Sequence, residues 1–286
     1  MAAAVAGSLI TTEQGRARRL AFVSMSSITG FMLGPMLGEF LARLASSFLP
    51  VAMSARSIAV PLTATALLAF LVSAAVVFVV PSGQSRDWSY KVGGASPAKM
   101  AWLVPKLLIL TLIVSAGIGV FEVGLALRGK LELGLPPFQI ALMFAECGLI
   151  MFVIQAIVFS PRFEPSFTRW LISPAFAVLA IGLFLVPWAS DFTLMLVVIG
   201  AISGSAGILS PILTYWISAK AGSAQGWELG RQTAAASLGV TLGSAAGGLL
   251  YDVAGLPGAS FILTAGLAVL GLFLSLGLRQ VLELPE

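Results

Sequence analysis

The sequence predicts an all-α, polytopic membrane protein made of helical bundles. Three observations predict it. The chain is 58% hydrophobic and only 10% charged, whereas a soluble domain is about 45–50% apolar and about 25% charged. Its mean hydropathy is +1.02. The apolar residues fall into long blocks, and a block of roughly 20 such residues spans a bilayer core of about 30 Å as a helix.

Eight such blocks are expected as full spans, at 20–45, 57–80, 104–127, 138–159, 168–188, 192–217, 230–251 and 258–279. Inside lipid each must pair its own backbone groups, which a helix does within one segment. Residues 2–12, "AAAVAGSLITT", are apolar but too few to cross alone. The connections are short except 81–103, a stretch rich in Gly, Ser, Pro and basic residues that reads as a surface linker between bundles.

The placement of Lys and Arg sets orientation. Twelve of them, Arg16, Arg18, Arg19, Arg86, Lys91, Lys99, Lys106, Arg162, Arg169, Lys220, Arg231 and Arg279, fall on one side of the expected spans. Four, Arg43, Arg56, Arg128 and Lys130, fall on the other. The richer side is assigned to the cytoplasm, which makes the linker and the C-terminus cytoplasmic. The net charge of +4 is therefore a topology signal and not a nucleic-acid footprint.

Several chemistries are excluded by composition. The chain has no histidine and a single cysteine, Cys147, which removes His-based metal sites, Ser-His-Asp triads and intramolecular disulfides. No phosphate-binding G-x-x-x-x-G-K-[ST] motif occurs. The expectation is a protein that is not an enzyme, with no cofactor, no metal and no nucleic-acid partner.

The first full span contains "GFMLGPMLGE" (30–39) and the seventh contains "GVTLGSAAGG" (239–248). Both read G-x-x-x-G-[P/S]-x-x-G, and both follow an arginine-bearing loop. The period is six spans, the pattern of two parallel six-helix halves. Gly30, Gly34 and Gly38 form a flat stripe on one helix face, where another helix backbone can approach closely. Pro35 removes one helical hydrogen bond.

On these residues the chain resembles the major facilitator superfamily. The run through Gly34 and Pro35 looks like the family's antiporter motif in its fifth helix, with Glu39 in place of the final glycine. "LGLPPFQIALMFAECGLIMFVIQ" (133–155) is similar to the start of the family's eighth helix. The resemblance implies three parts. Residues 1–80 would be the remainder of the N-terminal six-helix half, comprising the end of the fourth helix and the fifth and sixth. Residues 81–103 would be the cytoplasmic central linker, and residues 104–286 the C-terminal six-helix half. The first three to four helices would be missing, so that the chain looks like the C-terminal two-thirds of a transporter.

The same resemblance implies secondary active transport, by proton-coupled efflux (antiport) of small organic molecules when full length. The partners would be a small-molecule substrate, protons, the lipid bilayer and the missing N-terminal helices. The location implied is integral to a bacterial inner membrane. Import of a small metabolite, and a non-transporting membrane fragment or scaffold, stay open as alternatives. The glycines of the seventh span, Gly239, Gly243 and Gly247, are expected as the counterpart of the first stripe across the interface between halves.

Charges within a membrane are costly and commonly face a cavity. Glu122 and Glu146 lie inside adjacent expected spans at similar depth, and are candidates for proton coupling or substrate contact together with Gln155. The alternatives are that Glu122 snorkels outward or pairs with Arg128, and that Glu146 bonds to Gln155 or a neighbouring backbone group. Glu39, nearer a membrane edge, is a weaker candidate. Ser203, Ser205, Ser210, Thr214 and Tyr215 are further polar residues that could line a cavity. The pair Tyr215–Trp216 is expected as an interfacial anchor at the headgroups.

Overall fold

A computed structural model describes residues 13–48, 54–79, 102–158, 167–221, 225–251, 253 and 258–278. The opening stretch 2–12 and the linker up to residue 101 lie outside the described residues, as do Arg86, Lys91, Lys99, Arg162 and Arg279.

Helices cover all eight expected segments: α1 (Glu13–Phe48), α2 (Ser54–Val79), α3 (Leu103–Leu131), α4 (Pro137–Val158), α5 (Thr168–Leu185), α6 (Phe192–Lys220), α7 (Gln225–Leu249) and α8 (Ala259–Leu276). A short 3-10 turn, Val186–Trp188, extends α5. Among the described residues five helices, α3, α4, α5 with its extension, α6 and α8, are long and apolar enough on their own to cross a membrane. That is fewer than the eight full spans expected. α2 is counted only over its described apolar stretch Leu62–Ala75, and α7 is rich in Gly, Ser, Thr and Ala in place of larger apolar residues.

The chain divides into two units. One comprises Met1–Met32 with Ser96–Glu286, and the other Leu33–Ala95. In the second unit α1 carries Pro35 in its interior without ending there. Phe40, Phe70 and Phe78 are exposed on its helices, as side chains facing lipid would be. Glu39 accepts from Arg43 Nε at 2.8 Å one turn away.

In the first unit α3 is central and touches α4, α6, α7 and α8. Leu103, assigned above to the linker, is the first residue of α3 and is fully buried. Lys106 folds back over the Trp102 ring, 5.1 Å from its centroid. At the other end Gly134 adopts a left-handed conformation (φ 59°), which glycine takes without a Cβ penalty. Leu135 N then donates to Gly129 O at 2.8 Å, and α4 follows. The cap of α6 is Asp191, whose side chain accepts from Leu194 N at 2.7 Å.

Glycine lets these helices pack backbone against backbone. A Cβ added at Gly239 would lie 2.9 Å from Ser115 Cβ, one at Gly243 2.9 Å from Ala116 Cα, and one at Gly247 3.2 Å from Val120 Cα. The register rises together on both helices, so α3 and α7 run parallel. The second glycine stripe thus packs against α3, a helix of its own unit. Added Cβ atoms at Gly30, Gly34 and Gly38 meet nothing within 4 Å among the described residues.

Polar pins link the remaining helices. Ser275 Oγ donates to Ser173 Oγ at 2.9 Å between α8 and α5. Gln232 Nε2 donates to Thr214 Oγ1 at 2.6 Å between α7 and α6. Trp216 Nε1 donates to Thr168 Oγ1 at 3.1 Å between α6 and α5. Tyr215 and Trp216 are 1% and 0% exposed. They sit in the protein core, which corrects their expected role as a headgroup anchor. Their rings pack edge to face, and the only polar tip of Trp216 is held by Thr168.

Candidate functional site

The site begins with a periodicity in α4. Cys147, Met151 and Gln155 recur every four residues and so share one helix face. The neighbouring α6 approaches this helix closely because it is notched by glycines. A Cβ at Gly204 would stand 3.1 Å from Ile154 Cδ1, and one at Gly207 3.0 Å from Met151 Cα. Gly200 faces Ile150 in the same ascending register, so α4 and α6 run parallel. Their facing side chains then alternate down one wall.

The first part of α1 closes another side. Gly148 leaves room for Met32, whose Cβ would be 2.6 Å from a Cβ placed there. Phe31 meets Phe144 edge to face at 6.0 Å between centroids. Ile28 is buried. The fourth wall is α3, at Ile118, Phe121 and Glu122.

These walls enclose a cavity of about 210 Å³. Its apolar lining comes from Ile28, Phe31, Ile118, Phe121, Met151 and Ile202. Its polar lining is sparse: Ser27, Glu122, Cys147, Gln155, Ser203 and Ser210. A mostly apolar cavity with a few convergent polar groups is the usual form of a small-molecule site.

The polar groups have different degrees of satisfaction. Ser203 and Cys147 both line the cavity, and the buried Ser203 hydroxyl has no hydrogen-bond partner among the described residues. Gln155 is 0% exposed, yet neither its amide nitrogen nor its amide oxygen has a hydrogen-bond partner among the described residues. Glu146 Oε2 is also buried without a partner among them.

Of the residues singled out from sequence, the fold brings Glu122, Gln155, Ser203 and Ser210 into one cavity. Glu146 stands beside it, outside the lining. Ser205 turns back to its own helix, donating to Ile202 O at 3.1 Å. Thr214 is taken by Gln232. The two alternative pairings do not form: Gln155 leaves Glu146 Oε2 unpaired, and Arg128 bonds elsewhere. Arg231 pairs with Glu228 at 3.1 Å on the surface.

Sequence reading missed the docking of Phe31 and Met32 on α4, and the Gly200–Gly204–Gly207 notch. The spacing of those glycines was the available signal. It also missed the role of Arg128, which is 6% exposed. Its Nη2 donates to Pro187 O at 2.8 Å and to Ala189 O at 3.0 Å, both in the turn before α6. Its Nη1 pairs with Glu132 at 2.7 Å, and Tyr251 OH donates to the same carboxylate at 2.7 Å. One buried guanidinium thus ties the end of α3 to the α5–α6 turn and, through Glu132, to the end of α7.

The fold and cavity define a polytopic helical membrane protein with an internal, mostly apolar cavity. The family model of the Major Facilitator Superfamily matches residues 1–228. Multidrug resistance protein 2 of Bacillus subtilis (strain 168) is 25% identical over 255 residues, covering 85% of this chain and 60% of that protein. Multidrug resistance protein 1 of the same strain is 27% identical over 252 residues, with coverages of 85% and 60%. Quinolone resistance protein NorA of Staphylococcus aureus (strain COL) is 25% identical over 250 residues, with coverages of 85% and 61%. The chain therefore spans about three-fifths of the length of these relatives. The crystal structure of the human organic anion transporter MFSD10 (TETRAN) superposes with a TM-score of 0.67 at 19% identity, over 96% of this chain and 66% of that one. At that identity the likeness is one of fold. The chain belongs to the Major Facilitator Superfamily, and it is an integral membrane protein.

Proposed function

We propose that the protein is a secondary active transporter that exports small organic molecules in exchange for protons. The observation that carries this reading is the apolar cavity between membrane helices with Glu122 in its wall. A carboxyl group there can hold a proton while the cavity faces one side and release it when the cavity faces the other. Glu146, buried beside the cavity with an unpaired oxygen, is a second proton candidate. Gln155 would contact substrate. The resistance proteins among its relatives carry names consistent with export.

The Gly30–Gly34–Pro35–Gly38 face offers no Cβ obstruction within 4 Å, which supports a role as a close-packing face for another helix. Lys106, Arg169, Lys220 and Arg231 lie at one end of their helices and Arg128 and Lys130 at the other. That asymmetry supports a cytoplasmic C-terminus, and the bacterial relatives support an inner-membrane location.

The test is dye efflux from cells that carry the native gene or a Glu122→Gln copy, with the proton gradient imposed and then collapsed. Native efflux should stop on collapse, and the variant should lose the gradient dependence. Efflux that survives collapse, or a variant with intact dependence, would overturn the coupling role. No gene-dependent flux at all would overturn transport.

A further inference from the structure

The cavity is not uniform along its length. Cys147, Ser203 and Glu122 all line it, and the contact of Gly129 with Ile140 across the α3–α4 turn sets Glu122 near the level of Cys147. Gln155 lies two turns further along α4, about 12 Å at 1.5 Å per residue. Ser210 lies two turns beyond Ser203 on α6, which runs parallel, so it marks the same end as Gln155. The cavity therefore has an acidic end and, about 12 Å away, an uncharged amide end.

The amide end contains an unmet demand. A carboxamide carries two donor hydrogens and an acceptor oxygen. Both ends of the Gln155 amide are buried and lack a partner among the described residues. The neighbouring Thr214 is directed elsewhere. The Thr214 hydroxyl accepts from Gln232 and donates to Ser210 O at 2.9 Å. A buried donor and acceptor left unmade is costly, and an apolar side chain would avoid that cost.

We infer that Gln155 is a specificity-determining residue that reads a neutral donor–acceptor edge on the ligand, the N–H and C=O of a lactam or carboxamide, by two parallel hydrogen bonds. This rests on the reading of the cavity as the substrate site. A cation would satisfy the amide oxygen and strand the nitrogen, and an anion would do the reverse. A neutral edge with both groups side by side satisfies both at once. Phe31, Phe121 and Met151 supply aromatic and thioether surface for a flat ring. A volume of about 210 Å³ is below the range of about 300–1,000 Å³ for drug-sized sites. The edge is accordingly carried by a molecule, or a part of one, with one or two rings.

The test uses the full chain in lipid nanodiscs without a proton gradient, so it does not depend on what Glu122 does during transport. Two tritiated probes are compared by equilibrium binding: isoquinolin-1(2H)-one, which presents the lactam edge, and its N-methyl derivative, which lacks the donor. The lactam should bind at least about tenfold more tightly, because the methylated ring leaves the buried amide oxygen unpaired. In Gln155→Leu that ratio should fall to about one, and measurable binding of the N-methyl ring shows that the variant is folded. A ratio near one in the native chain, a ratio that persists in Gln155→Leu, or no binding of either ring would overturn the inference. Loss of the ratio leaves proton coupling standing, and loss of proton coupling leaves the ratio standing.

Discussion

Gly243→Ala tests the backbone-to-backbone contact between α3 and α7. A methyl group at residue 243 would collide with the Ala116 carbonyl oxygen, and would stand 2.9 Å from both its carbonyl carbon and its Cα. These are backbone atoms in the middle of a helix, so no side chain can swing aside. The two helices must separate by about 1 Å, a gap that forfeits a quarter to a half of each contact's attraction. Overpacking a filled site costs about 1–3 kcal/mol, and backbone overlap puts this one near the upper end. Alanine's better helix propensity returns about 1 kcal/mol. The net expectation is about 2 kcal/mol of destabilisation, close to a thirtyfold shift in the folding equilibrium. Gly266 in α8 is the control, since an added Cβ there meets nothing within 4 Å; Gly266→Ala should be neutral or gain up to about 1 kcal/mol. Cys147 is buried and is the only cysteine in the chain. Its reaction with a maleimide fluorophore during an SDS titration therefore reports loss of this core. A Gly243→Ala protein as stable as the native one, in the same assay that tolerates Gly266→Ala, would refute the packing argument.

Arg128→Ala should cost about 2–4 kcal/mol in the same titration, because two turn carbonyls lose a charged donor and Glu132 loses its partner. Arg128→Lys should recover less than half of that, since an ammonium cannot reproduce the fork. Trp216→Phe should cost about 2–3 kcal/mol, as the smaller ring leaves a cavity in the core and the Thr168 hydroxyl loses its donor. Glu39→Gln should change stability by no more than about 0.5 kcal/mol, because its pair with Arg43 is a single exposed turn-to-turn contact; a larger loss in the titration would show that Glu39 has a further partner.

Much of the architecture was legible in residue order. Runs such as "LVVIGAISGSAGILSPILTYWISA" can pair their backbone in lipid only as helix, and the eight helices follow those runs. The ends were less legible, because burial and not composition places them. Leu103 begins α3 one residue before the expected start and is buried in the core, and Lys106 folds over Trp102. The site was half legible. Glu122 and Gln155 stand out as polar residues in apolar helices, and both reach the cavity. Glu146 stands out equally and does not line it, since a single step along α4 turns a side chain by about 100°.

The glycine stripes show the same limit. Small residues at four-residue spacing announce that a helix will be approached closely, but they do not say by which neighbour. Gly243 meets Ala116 of its own half, and Tyr215 and Trp216, amphipathic enough for a membrane interface, are instead enclosed by the bundle. Sequence by itself determined that this chain is helical, lives in a membrane and carries a few ionisable or amide groups inside its spans, because each of these follows from local composition and the energetic cost of unpaired polar groups in lipid. Tertiary structure alone decided which helix each glycine admits, that Arg128 closes one end of the bundle, and which of the buried polar groups share a cavity, because those depend on the rotation and register of helices that are distant in the chain.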